Sequence, residues 1–160
     1  MNHKILLSLI LLSCLLVSTT IASAAKPIIN ADTTYYDVNT GLYMLKGNVY
    51  IEVSNRIITA GQAKVSLNSL EVWGSNGITL TQDNIYLTAG SVYVYGSQKK
   101  AVLDGGVTFK KPDLTISADT ADFNWRTKLG TFNGNVQITQ GDKTWSADSV
   151  TYNITTSTLQ

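Results

Sequence analysis

Few side chains in this sequence are equipped for chemistry. Asp119 and Asp122 lie three positions apart, and Asp148 follows further on. Two carboxylates flanking a scissile bond are the machinery of a glycosidase. Here Asp32, Asp119 and Asp148 recur in one repeating column, which reads as a corner position where a short carboxylate bonds local backbone. Trp73, Trp125, Trp145 and eight tyrosines could stack on sugars. Tyr35, Tyr36, Tyr50, Tyr93 and Tyr95 are nevertheless spread along the chain, and aromatics in strands are ordinarily core or cross-strand partners. Cys14 is the only cysteine and His3 the only histidine. No loop concentrates three or more carboxylates for calcium. The sequence therefore predicts no metal, no cofactor and no enzyme.

Both Cys14 and His3 fall in a segment with its own purpose. Met1 to Lys4 is a short basic head, residues 5–21 run without a charge, and Ala22-Ser23-Ala24 is a small-x-small site. That layout predicts a cleavable secretory signal over 1–24 and one domain over 25–160. If 5–21 were retained, it would instead anchor the chain in the inner membrane. Cleavage would leave neither thiol nor imidazole, which excludes disulfides and the common Cys/His zinc sites. Twelve Lys and Arg less Lys4 would then balance eleven Asp and Glu. A neutral chain with scattered cations, paired only at Lys99-Lys100 and Lys110-Lys111, offers no field for nucleic acid.

The remaining sequence is rich in Thr, Val, Ile, Tyr and Gly, the composition of strands and turns. Apolar residues alternate at Val49, Ile51 and Val53, at Ile78 and Leu80, at Val107 and Phe109, and at Val136 and Ile138. Period-two alternation marks strands with one buried face. The alternation itself repeats. Ala31-Asp32, Ala60-Gly61, Ala89-Gly90, Ala118-Asp119 and Ala147-Asp148 are each 29 residues apart. Gly47-Asn48, Asn76-Gly77, Gly105-Gly106 and Gly134-Asn135 keep the same step, as do Tyr36, Val65, Val94, Phe123 and Tyr152.

Each unit reads as two strand segments. The Gly-Asn and Asn-Gly pairs, which tolerate left-handed backbone, are expected to make tight turns between segments. Parity slips at the Ala-Asp/Gly step, where a bulge or corner would restore the inward face. Stacked units bury their seam only against neighbours and leave open edges at both ends. Residues Ile154 to Thr158, in an uncharged tail, could extend a neighbouring sheet.

The inward columns carry the functional question. Val49, Ile51, Ile78, Leu80, Val107, Phe109, Val136 and Ile138 are plain core if two sheets close tightly. If the sheets splay, the same eight residues line an apolar trough for acyl chains. A lipid carrier and a structural or adhesive envelope protein that joins edge to edge without ligand are both open at this point.

Certain strings resemble the periplasmic lipopolysaccharide-transport bridge family, also named for organic solvent tolerance. They are Ile29-Asn30-Ala31-Asp32, Leu45-Lys46-Gly47-Asn48-Val49-Tyr50-Ile51, Ile116-Ser117-Ala118-Asp119, Phe132-Asn133-Gly134-Asn135-Val136 and Trp145-Ser146-Ala147-Asp148. The resemblance implies an all-β open jelly-roll of V-shaped antiparallel sheets with a hydrophobic interior. It implies binding of lipopolysaccharide, or a similar acylated glycolipid, by the eight inward residues. It further implies edge-to-edge contact with jelly-roll domains of inner- and outer-membrane components, head-to-tail homo-oligomers, and docking edges at Ile28 to Tyr36 and Asp148 to Leu159. The middle units depart from the pattern, with Gly61 and Gly90 in place of Asp.

Overall fold

Fourteen strands and the turns between them account for residues 28–53 and 55–160, which the computed structural model describes. The expected secretory signal over 1–24 and its expected cleavage site lie outside the described residues, as does Ser54. The strands are β1 (Ile28–Asn30), β2 (Thr33–Asp37), β3 (Leu42–Val53), β4 (Arg56–Ser66), β5 (Glu71–Gln82), β6 (Ile85–Ala89) and β7 (Ser91–Tyr95). They continue as β8 (Lys100–Asp104), β9 (Val107–Lys111), β10 (Leu114–Ala118), β11 (Thr120–Asn124), β12 (Leu129–Gln140), β13 (Lys143–Asn153) and β14 (Thr158–Leu159). Among the described residues there is no helix, and every pairing is antiparallel.

The chain crosses a corner once in every strand-length pass. The long strands β3, β4, β5, β12 and β13 bend through it, while β1/β2, β6/β7, β8/β9 and β10/β11 are the same pass divided in two. Two tiers result. In the first, β2, β7, β8, β11 and β14 pair with residues 42–46, 62–66, 71–74, 129–133 and 149–153 of the long strands. In the second, β1, β6, β9 and β10 pair with the other halves of those strands. The tiers face one another, because Phe109 of the second meets Phe132 and Tyr152 of the first at ring-centroid distances of 5.8 and 5.3 Å. This is the all-β jelly-roll expected from the resemblance.

The corner chemistry corrects one expectation. The Gly-Asn and Asn-Gly pairs are not turns between strands; they sit inside strands, at the bend. Gly47 and Asn48 have φ of 72° and 47°, and Gly134 and Asn135 have 76° and 48°. Register runs from Lys46↔Gln62 to Val49↔Ala60, so two residues of β3 oppose the single Gly61 of β4. The same two-against-one count recurs between Asn133 and Val136, where β13 supplies only Asp148. Such bulges bend a strand and increase its twist. The slipped parity at the Ala-Asp/Gly step is therefore real: Ala60 and Ala63 both face inward, three positions apart.

The turns at the far end of the first tier also stack. Gly96, Trp125 and Ile154 donate backbone N–H groups to the carbonyls of Leu70, Lys99 and Lys128 one unit earlier. The tail is folded back into this ladder. Residues 154–157 form a turn, and β14 pairs with β13 through Tyr152↔Leu159, so Ile154 to Thr158 is not a free strand. Two apolar clusters fill the space between tiers, one around Val49 and Val65, the other around Phe109 and Ile138. Among the described residues no polar or charged residue is buried.

Candidate functional site

The eight predicted contact residues all lie in the second tier and all face the first. Register joins four of them in a transverse row: Ile29, Ile51, Ile58, Leu80, Leu87, Phe109, Ile116, Ile138 and Trp145 are successive cross-strand partners. Next to the corner, Val49 faces Ala60, Ile78 faces both Ala60 and Ala89, Val107 faces Ala118, and Val136 faces Ala147. Alternating a branched residue with alanine keeps this row narrow where the tiers converge. The wider side chains lie one step further from the bend.

The seam is closed. Val49, Ile51, Ile78, Val107, Phe109, Val136 and Ile138 are buried, none more than 4% exposed. Leu80 is half-buried, together with its neighbours Ile58 and Leu87. Packing is thus tight in each cluster and looser where the clusters meet, at Ala60. Trp145 ends the row at 39% exposure on β13, whose 143–147 half pairs only with β12. At the other end, β1 and β2 pair only with β3. The β1 and β2 edge lies in the expected docking segment Ile28 to Tyr36; the unpaired half of β13 precedes the other expected segment, Asp148 to Leu159, where β14 folds back onto Tyr152 and Asn153.

Cations sit where the two tiers separate. The Arg56 Nε–H donates to Gln82 Oε1 at 2.5 Å. Burial pushes the Arg56 guanidinium down from its ordinary value, with Asp83 opposing the shift. Lys128, in a first-tier turn, is lowered by burial and then by the nearby Arg56 charge. Lys111 donates to Ser157 Oγ at 3.1 Å and lies 5.7 Å from the Tyr152 ring centroid. In the turn that carries Lys128, Trp125 is 8% exposed, and its indole N–H is the one buried side-chain donor without a partner among the described residues. The sequence reading missed this group. Its available signal was Trp125 in a turn column that elsewhere holds Val38, Leu67, Gly96 and Ile154.

The carboxylates hold corners. Asn135 Nδ2 donates to Asp119 Oδ2 at 2.8 Å, and Asn48 Nδ2 donates to Asp32 Oδ2 at 3.0 Å. Asp122 pairs with Lys100 at 2.6 Å on the outer face. Asp148 lines a shallow surface depression of about 400 Å³ beside Asn135. Among the described residues no three His, Cys, Asp or Glu side chains draw together as a metal site would require.

An antiparallel jelly-roll with two facing tiers and a continuous apolar seam defines the class of protein. Within it, residues 115–157 match the family model described as LptA/(LptD N-terminal domain) LPS transport protein. The resemblance read from the repeat columns is thereby borne out, and the match falls on the units that carry Asp119 and Asp148. The chain is also similar to the crystal structure of LptH from Pseudomonas aeruginosa, titled the LptA homologous periplasmic component of the conserved lipopolysaccharide transport device. Identity is 11%, the match covers 84% of this chain and 80% of that one, and the TM-score is 0.35. No curated protein matches the chain.

Proposed function

We propose that this protein is a non-enzymatic periplasmic carrier that passes lipopolysaccharide between membranes, shielding its acyl chains between the two tiers. The family match over residues 115–157 carries this reading. The row from Ile29 to Trp145 supports it, since it gives an acyl chain an apolar path from one edge to the other. Arg56, Lys111 and Lys128 at the opening suit an acidic headgroup, and the Trp125 indole N–H could donate to a headgroup oxygen. Opening the looser zone at Leu80 would admit the chains. The open edges would then join copies of this chain head to tail and meet jelly-roll domains of the membrane components. Asp119 and Asp122, tied to Asn135 and Lys100, take no part in chemistry.

One observation favours a second reading. A seam buried this completely is also what a structural or adhesive envelope protein would have if it polymerised edge to edge without lipid. Photocrosslinking in the intact envelope separates the two, with probes at Ile51 and Phe109 and a control at Lys100. Lipopolysaccharide adducts from the two inward positions and none from Lys100 are expected. Protein–protein adducts at the edges without any lipid adduct would establish the structural polymer instead.

A further inference from the structure

The outer face of the first tier is concave. A groove of about 560 Å³ crosses β3, β4, β5, β7 and β8 on the side away from the seam, lined by Met44, Lys64, Trp73, Tyr93, Tyr95 and Val102 among others. Five of these form one transverse row, because Met44 faces Lys64, Lys64 faces Trp73, Trp73 faces Tyr93, and Tyr93 faces Val102. Trp73 and Tyr93 stack with centroids 5.0 Å apart and planes 21° apart; Tyr95 lies against Tyr93 at 3.9 Å with the planes tilted by 41°.

The repeat does not require these rings. One unit away, the Trp73 column holds Met44 and Val102, the Tyr93 column Lys64 and Asp122, and the Tyr95 column Ser66 and Asn124. The outer face of the second tier shows what plain solvent exposure selects: Thr59, Thr79, Thr88, Thr108 and Ser117 face one another in sequence. Three adjoining aromatics in one groove are therefore local to this place. They are flanked by hydrogen-bonding side chains, with Gln62, Ser75, Ser91 and Asp104 on the same wall. Lys64 and Asp104 are the only charged residues in the lining, and they cancel.

We propose that this groove binds a neutral oligosaccharide through the Trp73, Tyr93 and Tyr95 rings. Ring faces carry partial negative charge and attract the weakly positive axial C–H bonds of a pyranose. The equatorial hydroxyls then reach amide, hydroxyl, ammonium and carboxylate partners along the walls. The groove volume falls within the roughly 300–1,000 Å³ usual for ligand sites. A lining without excess charge selects a neutral glycan over a phosphorylated or uronic one. The site lies on the opposite face from the seam and stands whether or not the seam carries lipid.

Residues 25–160 would be titrated with cellohexaose, chitohexaose, maltohexaose and mannohexaose while the indole N–H resonances are followed by NMR. Saturable shifts of the Trp73 indole with at least one hexasaccharide are expected, with Trp125 and the exposed Trp145 unmoved. Trp73→Leu, which keeps an apolar side chain but removes the ring, should weaken binding about tenfold, corresponding to about 1.4 kcal/mol. If that variant misfolds, the wild-type shift pattern still decides. No shift with any of the four at millimolar sugar overturns the proposal, as do equal shifts at Trp73 and Trp145. A Trp73 shift that follows protein concentration and ignores sugar would give the groove to a second copy of the chain and likewise overturn it.

Discussion

At the level of single residues, the corner row explains why Asp and Gly exchange places. A Cβ on Gly134 would lie 2.5 Å from Asp119 Oδ2, so the carboxylate occupies the space that glycine leaves empty. A Cβ on Gly61 would lie 2.5 Å from the Asn76 Cβ and 2.8 Å from its carbonyl oxygen. The order Asn76-Gly77 thus excludes a side chain at position 61, and Gly61 in the Asp column follows from packing. Gly61→Asp should destabilise the fold by about 3 kcal/mol, the scale of forced overpacking, read by urea denaturation. Asp119→Ala should cost only about 1 kcal/mol, the net value of one ordinary hydrogen bond, because the bond from Asn135 is exposed to solvent. Asp37 gives a pH test. The Thr40 hydroxyl, then the Asn39 N–H, holds its carboxyl below the ordinary value. A depressed carboxylate contributes stability above its unfolded pKa and loses it as pH falls through the folded one. Thr40→Ala should raise the Asp37 midpoint, followed by carboxyl-carbon NMR.

Among the elements, the first-tier turns and the edge strands are the least settled parts. The last turn position is left-handed in every unit: Gly41, Leu70, Lys99, Lys128 and Ser157 have φ between 56° and 70°. Only the first is glycine. A non-glycine residue in this region costs about 1–2 kcal/mol, part of which glycine returns through its greater freedom in the unfolded chain. Lys99→Gly keeps the backbone bond to Gly96 and should stabilise by up to about 1 kcal/mol, visible as a raised Tm. Hydrogen exchange should rank the strands by their neighbours. Amides of β4, β5 and β12, paired on both sides, should exchange slowest; those of β1, β2 and β14, held on one side, should exchange fastest.

For the molecule as a whole, stability and the proposed transport draw on the same seam. Phe109 joins the tiers through Phe132 and Tyr152. Phe109→Ala should therefore cost about 3–5 kcal/mol by urea denaturation. Leu80→Ala, at the looser junction of the two clusters, should cost less than that. A carrier must part its tiers to load, so its opening is expected where packing is already incomplete, at Ile58, Leu80 and Leu87, and not at the closed clusters on either side.

The sequence by itself determined the strands, the 29-residue unit, the inward columns and the corner at the Ala-Asp/Gly step. Period-two alternation and repeat spacing are properties of consecutive residues, and they survive without knowledge of distant partners. It misplaced the Gly-Asn pairs, because left-handed backbone serves a mid-strand bulge as well as a hairpin turn, and only the partner strand's count distinguishes them. Tertiary structure alone decided that the seam is closed, since whether two apolar faces meet depends on the angle between tiers and not on the composition of either. It also decided that Trp73 joins Tyr93 and Tyr95, twenty and more positions further along the chain, in one groove. Hydrogen-bond register between β5 and β7 places Trp73 opposite Tyr93, and no local pattern along the chain carries that register.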